Sequence, residues 1–176
     1  MSNAVIAATL VGLLTVAARC DIKSFRIPNA LTASGVVLGI VLNTALSDGL
    51  GFTPALYGFA VALLGLLPLY FLRIWGAGDV KLMAVIGAFL GPVGFFGSLL
   101  WSLVMGGITA VTVAWYRKRG GVLLENLRCM VYQASFNAQL RKLTAFEGPA
   151  QSAGKVAYAI PILLGTLGYL IYQPHV

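Results

Sequence analysis

Residues 54–81 read PALYGFAVALLGLLPLYFLRIWGAGDVK: no charge from 54 to 72, then Arg73, then Gly76-Ala77-Gly78-Asp79. The apolar part can cross a bilayer core of about 30 Å as a helix, which takes roughly 20 residues. It lacks the polar face that a helix on the surface of a soluble bundle carries. The stretch therefore predicts a membrane-spanning helix that stops at a basic residue, with an acid opening the segment that follows.

The same pattern repeats outward, with further apolar runs at 4–18, 28–46, 79–90, 93–116 and 156–172. Hydrophobic residues make up 59% of the chain and charged ones 10%, against about 25% charged in soluble domains. The fold class expected is an all-α membrane protein: a single domain over 1–176, a polytopic bundle of six transmembrane helices with one cytoplasmic amphipathic loop segment. Positive charge follows the first run instead of preceding it, as it would in a cleaved signal peptide, so this helix is read as retained. The second run opens on Pro28, which a first helical turn tolerates. The fourth is short and ends at Gly91-Pro92, and Pro161 lies inside the last.

Basic residues orient the bundle. Arg19, Lys23 and Arg26 fall between the first two runs, and Arg73 and Lys81 flank the connection from the third to the fourth. Arg117, Lys118, Arg119, Arg128, Arg141, Lys142 and Lys155 fall between the fifth and sixth, which accounts for all 12 Lys and Arg. With six spans these connections share one side, and the positive-inside bias makes that side cytoplasmic. Both termini and the turn at Asp48 then lie on the other side. Within 117–155, Leu123, Leu127, Met130, Val131, Ala134 and Ala138 recur near a 3.6-residue period, the pattern of a helix lying on the membrane surface. The net charge of +7 calls for anionic lipid as partner, not nucleic acid.

Carboxylates are scarce: Asp and Glu together number 5. Two of them, Asp21 and Asp79, stand where apolar runs meet the basic, cytoplasmic side, so they share one depth and one face. Ionisable groups at such positions are functional candidates. His175, the sole histidine, falls on the opposite side, which argues against Ser-His catalysis and leaves a zinc site without its usual ligands. Cys20 and Cys129 read as free thiols, and no metal or cofactor is expected.

Two aspartates suffice for another reaction. A close pair can hold a single proton, the ionised member activating water while the protonated one assists the carbonyl and the leaving amine. Gly76 and Gly78 remove side chains and permit unusual backbone angles, so an extended substrate could lie close to Asp79. Other readings of the same residues are an aspartate capping a helix start, a proton or cation site of a transporter or channel, and a non-catalytic subunit of a pilus or secretion machine. Lys23 and Lys81 could meet acidic substrate groups or tune the pair, or simply anchor the helices at the interface. Gly87 and Gly91 are spaced for close helix packing.

Gly76-Ala77-Gly78-Asp79-Val80-Lys81-Leu82 resembles the Gly-x-Gly-Asp motif of the type IV prepilin peptidases. Asp21 followed by Ile27-Pro28-Asn29 is similar to that family's first aspartate and its Ile-Pro-Asn signature, and Tyr158-Ala159-Ile160-Pro161 to its C-terminal Pro-containing segment. The resemblance implies an aspartic endopeptidase with six transmembrane helices and Asp21 and Asp79 as its catalytic pair. Its substrates would be prepilins or pseudopilins, cut free of their basic leader at the cytoplasmic face of the bacterial inner membrane. Gly76, Gly78, Lys23, Lys81, Pro28 and Asn29 are the expected substrate contacts. Bifunctional members carry an extra cytoplasmic domain with paired Cys-x-x-Cys motifs and N-methylate the product. Without that domain, no methyltransferase activity is expected, and the small size resembles the tight-adherence (Flp) pilus enzymes.

Overall fold

A computed structural model describes residues 2–46, 49–116 and 157–172, together with positions 121, 125, 128, 129 and 132. The described residues form five helical elements: α1 Ser2–Ser24, α2 Asn29–Ala45, α3 Phe52–Phe71, α4 Ala77–Tyr116 and α5 Ala159–Tyr172. Three of them, α1, α3 and α4, are long and apolar enough to cross a bilayer, while α2 and α5 are shorter apolar helices. The chain is an all-α membrane protein. The turn at Asp48 and the apolar face expected within 117–155 lie outside the described residues.

Five elements stand where six spans were expected. Residues 79–90 and 93–116 are two helices that α4 joins across a kink at Gly91, where the backbone leaves helical geometry (φ 68°, ψ −175°). That combination is open essentially to glycine alone. The chain reverses there. Gly106, beyond the break, packs against Tyr158, and the ring of Tyr158 lies 5.7 Å from that of Trp75, just before α4 begins. The second half of α4 thus runs back toward the end from which the first half set out.

The bend leaves backbone groups unpaired, and Asn43 takes them up. In an unbroken helix the carbonyl of Ala88 would accept an N–H from position 92, but Pro92 has none. The buried amide of Asn43 instead donates to Ala88 O at 3.1 Å and to Phe89 O at 2.9 Å. Its own Oδ1 accepts the N–H of Leu50 at 3.1 Å. One side chain of α2 therefore ties the α2–α3 connection to the bend.

Glycines let the helices approach at the same end. A Cβ on Gly58 of α3 would strike the carbonyl of Gly87 and come within 2.7 Å of the Cα of Gly91. The spacing of Gly87 and Gly91 thus serves a backbone-to-backbone crossing, as the sequence suggested. Every residue of α4 from 82 to 91 is buried, so this half is the central post, apolar on all sides as a core helix must be. The other helices surround it and turn side chains such as Val37, Leu64 and Leu100 outward, where lipid would cover them.

Two boundaries differ from the sequence reading and bear on function. The first helix does not stop at 18: it runs on to Ser24, so Asp21 lies in its last turn and not in the connection beyond. Lys23 in that turn suits the negative end of the helix dipole. Phe25 then takes a left-handed conformation (φ 50°) and donates its N–H to Asp21 O at 2.8 Å, closing the helix. Pro28 lies one residue before α2, not inside it (φ −59°, ψ 133°), and its carbonyl accepts from Leu31 and Thr32 at 3.1 and 3.3 Å.

Candidate active site

Asp79 is the third residue of α4, and Gly76 caps that helix, its carbonyl accepting from Val80 N at 3.2 Å. From this position the Asp79 carboxyl reaches back to the N–H of Gly76, as an acidic third residue does in a capping box. The capping reading is thus part of the answer, with the acid one turn further in. Gly76 is required for space, not for its backbone angles. A Cβ there would sit 2.9 Å from Asp79 Oδ2. Among the described glycines only Gly51 and Gly91 have positive φ, so the unusual angles expected at Gly76 and Gly78 are not found; both serve an ordinary helix start. A Cβ on Gly78 would meet Ile27 at no less than 3.4 Å, an ordinary contact that packs the Gly-x-Gly-Asp turn against the Ile-Pro-Asn turn.

Asp21 reaches the site from α1. It is 8% exposed, and its Oδ2 accepts the N–H of Ala159, the first residue of α5, at 3.1 Å. That N–H is one of those a helix start leaves unpaired. Its neighbours are accounted for as well: Ile160 N donates to Ala157 O at 3.3 Å, and Pro161 has no N–H to place. The segment Tyr158-Ala159-Ile160-Pro161 therefore begins a helix with one donor free for Asp21.

The two acids face one cavity of about 570 Å³. Its wall is built by the end of α1, the turn at Ile27-Pro28-Asn29, the turn at Gly76-Ala77-Gly78 and the side chain of Lys81. The carboxyls lie within electrostatic reach of each other. Of the residues singled out in the sequence, Asp21, Asp79, Gly76, Gly78, Pro28, Asn29 and Lys81 all line this cavity, whereas Lys23 is exposed and does not. Lys23 follows Asp21 by two positions on a helix, which turns it about 200° away. Lys81 donates from Nζ to Asn29 Oδ1 at 2.8 Å, joining the two motifs.

Tyr158 was quoted in the sequence only as part of its motif, and it proves to lie within electrostatic reach of Asp79. Its ring packs on Trp75. Its phenol is held above the ordinary tyrosine range, first by burial and then by the negative charge of Asp79. Beyond that motif, nothing in the sequence marked it. Cys20 and Cys129 are free thiols. Among the described residues, no three of His, Cys, Asp and Glu gather as a metal site would require.

Comparison with known proteins gives two matches. Residues 8–111 match the profile of the type IV leader peptidase family, a span that includes both Asp21 and Asp79. A prepilin leader peptidase/N-methyltransferase of Myxococcus xanthus is 31% identical over 127 residues, covering 68% of this chain and 38% of that protein. The chain thus spans well under half the length of this relative. No solved structure gives a significant match.

Proposed function

The chain belongs to the type IV leader peptidase family, and on that footing we propose that it is an aspartic endopeptidase that removes the leader of prepilin-like proteins. The observation that carries the reading is that Asp21 and Asp79, from helices α1 and α4, line one cavity together with both flanking motifs.

In this mechanism the pair holds one proton between its two carboxyls. The ionised member takes a proton from a water molecule as the water oxygen attacks the scissile carbonyl. The protonated member gives its proton to the carbonyl oxygen, and a tetrahedral diol results. Collapse returns a proton to the amine nitrogen as the C–N bond breaks, leaving a new carboxylate and a new amino terminus. Backbone N–H groups hold each acid in place, so the geometry is set before substrate arrives. Asp21 and Asp79 are the catalytic residues; Gly76, Gly78, Pro28, Asn29 and Lys81 contact substrate.

The substrate class follows from where the cavity sits, at the charged end of an otherwise apolar bundle. A basic leader on the cytoplasmic side of a bacterial inner membrane, joined to an apolar helix within it, brings its junction to that depth. The cations Arg26 and Lys81 on the same wall disfavour the rival reading as a cation site.

Co-expression with a tight-adherence prepilin tests the reading. Leader removal by the chain, lost in Asp21→Asn and in Asp79→Asn, is the expected result. Full processing by either purified variant would sink it.

A further inference from the structure

A second hollow adjoins the acid cavity. It holds about 550 Å³ and is lined by Asn29, Thr32, Ala33 and Val36 of α2 and the helix start before it, Phe59 and Leu63 of α3, and Lys81 and Ala84 of α4. Asn29 and Lys81 belong to both walls, so the two spaces adjoin at that pair. The α2 residues fall on one face between 29 and 36, which spans roughly 10 Å of helix rise, about two turns. Polar groups in this hollow are already engaged: Lys81 bonds Asn29, and the Thr32 hydroxyl donates to Asn29 O at 3.0 Å. What is left is an apolar trough with a small floor at Ala84 and bulky sides at Phe59 and Leu63.

We propose that this trough receives the first two turns of the substrate's apolar helix, immediately past the cut. The inference rests on the peptidase reading above, and it names the surface that sets where along the substrate the cut falls. Continuity selects the occupant. A chain lying across Asp21 and Asp79 passes the Asn29–Lys81 pair and enters the trough without leaving the protein. An acyl chain would fit the apolar walls but would have no reason to stop at that pair. The hydrogen-bonded Asn29–Lys81 pair then marks the boundary between the hydrated segment to be cut and the segment held in the bilayer.

Photo-crosslinking tests this directly. Benzoylphenylalanine is placed at Ala33 in the trough or at Leu38, which is exposed on the opposite face of α2. Each full-length chain is reconstituted in vesicles of phosphatidylethanolamine and phosphatidylglycerol with a tight-adherence prepilin. Cleavage by the unsubstituted chain is followed in parallel. The expected result is adducts from position 33 with the apolar helix, within two turns of the cut, at least tenfold above those from position 38. Prepilin is supplied well above KM for the crosslinking, since bulk at position 33 should itself weaken binding: Ala33→Trp should raise KM for the prepilin at least tenfold with kcat within twofold. Cleavage accompanied by lipid adducts alone, or by equal yields from both positions, overturns the trough and leaves the peptidase reading standing. No cleavage by the unsubstituted chain overturns the reading itself.

Discussion

The Asp21 carboxylate, in the last turn of α1, accepts the N–H of Ala159, the first residue of α5, at 3.1 Å. At the end of its own helix a negative charge is disfavoured, because the carbonyls there already carry partial negative charge. At the start of a second helix the same charge is favoured. One hydrogen bond thus offsets the unfavourable field of Asp21's own helix end with the favourable one of another helix start.

This arrangement makes amide substitution informative. In Asp21→Asn the amide oxygen can still accept the Ala159 N–H, and in Asp79→Asn that of Gly76. Each variant should keep its thermal midpoint in detergent within a few degrees while leader cleavage falls by roughly 100-fold or more. A variant that loses activity only in proportion to a lost fold would contradict the assignment.

Activity should follow a bell-shaped curve in pH, since one acid must be charged and the other protonated, and both limbs belong to the pair. Tyr158 is no part of the alkaline limb. Its phenol is shifted upward by burial and by Asp79, so the neutral form persists beyond the ordinary tyrosine range. Tyr158→Phe should therefore leave the position of the alkaline limb unchanged in kcat/KM profiles. A limb that moves with this substitution would assign a proton-transfer role to Tyr158.

The two motif glycines should behave differently. Gly76→Ala places a methyl 2.9 Å from Asp79 Oδ2 and must displace that carboxyl. A displacement of about 1 Å at a reacting group costs on the order of 100-fold in rate, so kcat should fall steeply. Gly78→Ala finds its nearest neighbour at 3.4 Å and should act on KM alone. Steady-state kinetics on both variants decide the matter, and equal losses in kcat would refute the spatial argument.

Asn43 is remote from the acids yet should matter for stability. Asn43→Leu strips partners from the carbonyls of Ala88 and Phe89 and from the N–H of Leu50. Buried groups left unpaired cost about 1–3 kcal/mol each, and partial relaxation brings the expected loss to about 3 kcal/mol in all. For a chain of this size that is a fall on the order of 10 °C in thermal midpoint. An unchanged midpoint would mean that other groups pair those atoms.

The acids and their motifs were legible in the sequence because carboxylates are so rare beside apolar runs that each one stands out. Pro28, Asn29, Gly76, Gly78 and Lys81 followed as their neighbours in the chain. The partners from elsewhere were not legible: Ala159 lies 138 residues from Asp21, and a backbone N–H leaves no mark in a sequence. The extension of α1 to Ser24 was missed because charge at the end of an apolar run reads as the end of the helix. In fact only the span of uniform hydrophobicity ended there. Between the two readings of Lys23 the sequence could not choose for the same reason, its direction being fixed only once the helix continues. At Gly91 the sequence marked a boundary, but whether a Gly-Pro pair kinks, separates or reverses two helices depends on what satisfies the exposed carbonyls. That was decided by Asn43, from another helix.

The reversal at Gly91 has a mechanical consequence. Asp79 stands near one end of a rigid arm of roughly 20 Å, taken from the 1.5 Å rise per residue, whose pivot is Gly91. The arm beyond the pivot carries the surface on which α5 rests, and α5 holds Asp21. Opening the angle between the arms by about 5° moves their tips apart by about 2 Å on that length, the difference between carboxyls that share a water and carboxyls that do not. The spacing of the two carboxyls thus depends on an angle set at the far end of this arm, which Asn43 clamps.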